Sequence, residues 1–146
     1  MKYLCFGYYD KDKFDGMTES ERNDLFDRCF EYDDHLRANG HIAADAALQP
    51  SETALTVYCK NGEVVTTDGP YAETKEQLGG IRILEARDMN HAVQLWAQHP
   101  ALKYGNIFEI RPVADMDEVM KASEQRRRQA SAPGRRLQVY GEAGFP

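Results

Sequence analysis

Asn61-Gly62 constrains the fold of this chain more than any other pair of residues, because it stands between two alternating runs, Ala54 to Lys60 and Glu63 to Thr67. In the first run Leu55, Val57 and Cys59 alternate with Thr56, Tyr58 and Lys60, the period of two that a strand imposes. Both central residues of a two-residue hairpin need positive φ, which Asn and Gly tolerate, so the two runs are predicted to fold back on each other. The hairpin delivers Asp68 into the stretch Asp68-Gly69-Pro70-Tyr71-Ala72-Glu73-Thr74-Lys75-Glu76-Gln77-Leu78-Gly79-Gly80. An acid, a phenol, two more carboxylates and a lysine are crowded there between a Gly-Pro beginning and a Gly-Gly end. Glycine and proline at those places fix the backbone, and the density of polar groups points to a site rather than a plain turn.

The flanking segments read in order. Lys2 to Tyr9 is aromatic and apolar and predicts a buried strand, followed by a polar loop from Asp10 to Met17. Thr18 with Glu21 forms a capping box, and Leu25, Phe26, Cys29, Phe30 and Leu36 make one apolar helical stripe that Gly40 closes. Ile42 to Leu48, apolar but alanine-rich, reads as a strand ended by Pro50. Beyond Gly79-Gly80, Ile81 to Ala86 predicts a strand, and Asp88 caps a second helix that buries Ala92, Val93, Trp96 and Ala97. His99-Pro100 stops that helix, and Asn106 to Pro112 supplies a last strand.

Strand, helix, strands, helix, strand is the pattern of an α+β domain of ferredoxin-like type, with two helices on one face of an antiparallel sheet. Its other face, holding Tyr3 or Leu4, Tyr58 and Ile81, would be wet in a monomer, which predicts a homodimer. The boundary falls near Val113: residues 1–113 form the α+β domain and 114–146 an extension. In that extension Met116 to Ala130 reads as a charged helix and Ser131 to Pro146 as flexible.

The length of 146 residues suits a single domain that buries roughly two thirds of its unfolded surface. Cys5, Cys29 and Cys59 are odd in number and set among apolar residues, so three buried free thiols are expected rather than disulfides or a zinc site. The apolar run from Tyr3 stops at Asp10, too short for a secretory core, and no run reaches membrane length; a cytoplasmic location follows. A net charge of -6 opposes broad binding to nucleic acid or anionic lipid. The end of the chain is basic, with Lys121, Arg126, Arg127, Arg128, Arg135 and Arg136 against Glu124 and Glu142. No aromatic residue interleaves with those arginines, which favours a solvated extension over a nucleic-acid arm.

Across Val65 to Gly80, with Leu84-Glu85-Ala86-Arg87-Asp88 and Glu109-Ile110-Arg111-Pro112-Val113, the chain resembles the YCII-related family. More narrowly it is similar to the subgroup (DGPF) named for an Asp-Gly-Pro-Phe motif, with Tyr71 in the phenylalanine position. The likeness spans roughly residues 1 to 113. It implies a dimeric α+β barrel of bacterial, cytoplasmic origin, without fixing an activity. A related branch includes a dehydrochlorinase acting on a hydroxylated aromatic, a His-Asp pair is proposed as catalytic in YCII-like proteins, and members of the subgroup occur beside extracytoplasmic-function sigma factors.

Four residues are the catalytic candidates. Asp68 is either a general base or the acceptor of an Asx turn, and Tyr71 either donates to a ligand oxygen or plugs the space behind the loop. Glu73 lies three residues from Glu76 with Lys75 between, an acid-base pair or a solvated cluster. His35, near the end of the first helix, either meets Asp68 or interacts with the negative helix end. His41, His91 and His99 read as structural or surface residues. No metal-binding helix spacing, glycine-rich phosphate loop or nucleophile elbow occurs, so no metal or cofactor is expected. Two functions remain: a cofactor-free enzyme in which Asp68, with His35 or Glu73, moves a proton on a small aromatic or polar substrate; or a small-molecule-binding or regulatory module, linked to sigma-factor control, without catalysis.

Overall fold

A computed structural model describes residues 1–131 of the chain. The chain divides into two units, Met1–Val113 and Ala114–Pro146. In the first unit the elements are β1 (Lys2–Asp10), α1 (Lys11–Asp15), α2 (Glu19–Ala38), β2 (Ile42–Ala47), β3 (Leu55–Lys60), β4 (Glu63–Asp68), β5 (Glu76–Glu85), α3 (Met89–Trp96) and β6 (Ile107–Pro112). In the second unit α4 spans Asp117–Ala130. The flexible tail expected beyond it lies outside the described residues.

The main sheet has four strands in the order β2-β5-β1-β6, every neighbouring pair antiparallel. That is the split βαβ order of a ferredoxin-like α+β fold. The hairpin turns as its residues require, with Asn61 at φ 53 and Gly62 at φ 79. It forms its own two-stranded sheet, however, so Tyr58 does not lie on the open face of the main sheet. Cys59 rides on the same hairpin and is exposed, which corrects the expectation of three buried thiols; Cys5 and Cys29 are buried.

Pairing divides the faces of the sheet. Tyr3 opposes Leu84 and Cys5 opposes Arg82, while Leu4 opposes Ile83 and Phe6 opposes Ile81. Tyr3, Cys5 and Leu84 join Leu36, Ala92 and Trp96 in the main core under the helices. Tyr3 is therefore inside, and Leu4, Phe6, Ile81 and Ile83 make up the apolar part of the opposite face.

Two further corrections matter for the site. The segment from Asp10 to Met17 is not all loop: Asp10 accepts from the backbone N–H of Asp12 and Lys13 and caps the five-residue α1, too short for its period to be read. Nor do Gly79-Gly80 close a loop, since β5 already begins at Glu76. Gly80 pairs with Gly7 and Leu78 with Tyr8, leaving Gly79 as the extra residue of a bulge. A Cβ at Gly79 would stand 2.7 Å from the Tyr9 ring, so the glycine is needed for close approach within a strand.

Candidate functional site

A cavity of about 740 Å³ opens between α2 and the sheet, in the size range of small-molecule sites. Its floor is the backbone of β1 and β5 at Gly7, Gly79 and Gly80, and its walls include Phe14, Phe26 and Phe108. The walls are an aromatic chain: Phe14 meets Tyr9 and Phe26 edge-on, and Phe26 stacks on Phe30 at 5.8 Å.

Asp33, Arg82 and His99 form a hydrogen-bonded cluster in the wall of this cavity. Asp33 of α2 and His99 are only 4% and 2% exposed. Asp33 Oδ1 accepts from His99 Nε2 at 3.0 Å, and Oδ2 accepts from Arg82 Nη2 of β5 at 3.1 Å. His99 Nδ1 accepts the backbone N–H of Ala101 at 3.2 Å, so the proton of the neutral ring resides on Nε2 and points at Asp33. His99 is thus fixed twice, as the cap of the turn Pro100–Tyr104 and as the donor to Asp33. Its ring stacks on Trp96 at 4.6 Å, and the Arg82 guanidinium lies over the same indole at 5.2 Å.

Burial by itself raises the Asp33 carboxyl, but the His99 hydrogen bond and the Arg82 charge outweigh it and hold the group below the usual aspartate range. Asp33 is therefore an ionised carboxylate at the inner wall of an apolar cavity. Cys29, which also lines the cavity, is pushed up to about 11 by burial and stays a thiol. No cluster of His, Cys, Asp and Glu among the described residues is arranged to hold a metal ion, and no helix among them is long and apolar enough to cross a membrane.

Residues 1–117, the whole framework of this cavity, match the YCII-related domain. The chain belongs to the YCII-related family. Over 79 residues it is 33% identical to Uncharacterized protein R00369 of Rhizobium meliloti (strain 1021), a match covering 51% of this chain and 61% of that relative. The chain thus spans about three fifths of that curated relative's length. Among solved structures it is similar to 5-chloro-2-hydroxyhydroquinone dehydrochlorinase (TftG) from Burkholderia phenoliruptrix AC1100, solved with 2,5-dihydroxybenzoquinone. That likeness has a TM-score of 0.46 and 15% identity, over 78% of this chain and 94% of the other.

Within this YCII-related domain, the four residues singled out from the sequence are not brought together. Asp68 ends β4 with its side chain exposed, Tyr71 is 94% exposed, and Glu73 is exposed on the connector to β5. None of the three makes a side-chain hydrogen bond or ion pair among the described residues. His35 is also exposed; its Nδ1 stands 3.5 Å from Asn39 Nδ2, and it lines a separate, smaller hollow beside Tyr32 and Lys103. None of the four lines the large cavity. On that connector the Lys75 ammonium stands 3.7 Å from Asp10, and the Gly69 carbonyl accepts from Thr56 of β3 at 2.9 Å.

The Asp33–His99 pair carried a signal that a stripe of hydrophobic residues alone conceals. Asp33 is four residues after Cys29 and three before Leu36, which places an acid on the buried face of its helix, where it requires a partner. Because its folded pKa lies below the unfolded one, Asp33 contributes stability that is complete above about pH 3.9 and lost as pH falls through the lower folded value. Urea denaturation from about pH 6 down to about pH 2 is expected to show a steeper acid loss for the native chain than for Asp33→Asn. Identical slopes would contradict the ionised assignment.

Proposed function

We propose that this domain is a cofactor-free enzyme that moves a proton on a small organic substrate with an aromatic or otherwise apolar body, held in the 740 Å³ cavity. The observation that carries this reading is the buried Asp33 carboxylate, positioned by His99 and Arg82 on the cavity wall. Each carboxylate oxygen keeps a second lone pair after its present bond, so Asp33 can accept a proton from a substrate C–H or O–H. The electrons of that bond stay on the substrate, and the acid so formed returns the proton at another atom of the same molecule. A carboxylate held below its usual range is a weak base, which restricts this chemistry to substrates whose proton is already acidic. His99 has both ring nitrogens engaged and acts as a positioning residue.

The same occupancy of Asp33 and His99 favours a second reading, a binding or regulatory module without turnover, including one tied to sigma-factor control. Asp33→Asn separates the two. Screened on hydroxylated and halogenated aromatics, the native chain is expected to turn over at least one compound, with a loss on the order of 10²–10⁴ in kcat for the variant. Saturable binding with no turnover by the native chain would leave the module reading.

The assembly belongs to the same proposal: a second copy covers the sheet face bearing Leu4, Phe6, Ile81 and Ile83 and completes a dimeric α+β barrel in the cytoplasm of a bacterium. Sedimentation at micromolar concentration is expected to give a dimer for the native chain and a monomer for Ile83→Asp. A monomeric native chain would refute the assembly. Placement in the Asp-Gly-Pro-Phe subgroup is likewise proposed, on Asp68-Gly69-Pro70-Tyr71.

A further inference from the structure

We propose that the cavity selects a planar organic monoanion, a carboxylate or a phenolate, whose charged oxygen docks on Arg82 while its ring packs among the aromatic walls. The inference rests on the reading of this cavity as the substrate site and supplies the substrate class.

The donor count of Arg82 is its basis. A guanidinium offers five N–H donors. Arg82 places one bond, from Nη2 to Asp33, and neither Nε nor Nη1 has an acceptor among the described residues. Nε is sealed from solvent without a partner, so Nη1 is the donor left for a ligand in the cavity. A charged donor without an acceptor in an apolar wall is costly, and the group that relieves it best is a charged oxygen. The cavity leaves Arg82 available for that role. Asp33 is bonded to both of its neighbours, and at the rim Arg37 is held by Asp34 and Asp45 at 2.8 Å each. Lys13, exposed on the rim and outside any ion pair among the described residues, adds a positive group on the approach.

The floor sets the shape. A Cβ on Gly7 would stand 3.0 Å from the Phe108 ring, and one on Gly79 2.7 Å from Tyr9. The glycines let these two rings lie against the strands, and with Phe14 and Phe26 the Phe108 ring lines the same cavity as Arg82. An aromatic-lined cavity with a guanidinium in its wall fits a conjugated ring that carries one oxyanion.

Calorimetric titration with benzoate, para-nitrophenolate and the neutral isostere benzamide tests this. At least one of the two anions is expected to bind about tenfold more tightly than benzamide, and the one that does names the oxyanion. Arg82→Gln should abolish the preference. Because that change strands the Asp33 charge and threatens folding, the doubly neutral Arg82→Gln/Asp33→Asn variant is measured beside it, with the same loss of preference expected. Equal binding of anions and benzamide, or a preference that survives in the double variant, overturns the charge selection and leaves the cavity reading intact. Absence of saturable binding by all three at millimolar concentration overturns both.

Discussion

Replacing Asp33 by alanine is expected to lower folding stability by about 3–5 kcal/mol, because removing one partner of a buried ion pair leaves the other charge uncompensated. The Asp33 side chain is 6% exposed and that of Arg82 18%, so solvent screens little of the loss. His99 would lose the acceptor for its Nε2 proton at the same time. Asp33→Asn should fall in between. Its amide has one acceptor oxygen and meets two donors, His99 Nε2 and Arg82 Nη2, so one of them faces an NH₂ group. His99 cannot relieve the clash by changing tautomer without surrendering the Ala101 N–H. Urea denaturation of the three chains measures the order; an alanine variant as stable as the native chain would show that the three groups are not coupled as described.

Trp96→Ala carries a loss of similar size, about 3–5 kcal/mol for a large buried aromatic. Trp96 is 2% exposed, stacks on His99, meets Phe108 edge-on at 5.3 Å and lies under Arg82. Truncation therefore opens the main core and removes the surface that fixes two members of the polar cluster. Trp96→Phe tests the packing separately. The indole Nε1 is buried without an acceptor, and phenylalanine eliminates that donor while keeping a ring against His99. Thermal denaturation should show a much smaller loss for Phe than for Ala. Equal losses would mean that the indole N–H has a partner in solution.

Most of the framework could be read from local chemistry. Thr18 and Glu21 cap α2 reciprocally, Asp88 caps α3, and Asn61-Gly62 turns the hairpin, each because the side chain solves a backbone problem within three residues. Gly79-Gly80 misled for the complementary reason. The Tyr9 ring of β1 sets the role of Gly79 and the Ala46 carbonyl of β2 that of Gly80, and without those contacts a glycine pair reads as a chain break.

The cavity was hidden in the same way. Asp33, Arg82 and His99 come from segments 49 and 17 residues apart, and they meet through sheet register and the turn after α3. His99 looked like the residue that merely precedes Pro100. The polar connector from Asp68 drew notice through its composition, yet composition does not distinguish a solvated loop from a site; burial beside an apolar cavity does.

Amide chemical shifts recorded while benzoate is titrated into the protein test most directly where the ligand goes. Shifts at Gly80, Arg82 and Ala101, which border the cavity, are predicted, with the connector 69–75 unmoved. Saturable shifts confined to the connector, with those three residues unchanged, would contradict the assignment of the cavity as the site.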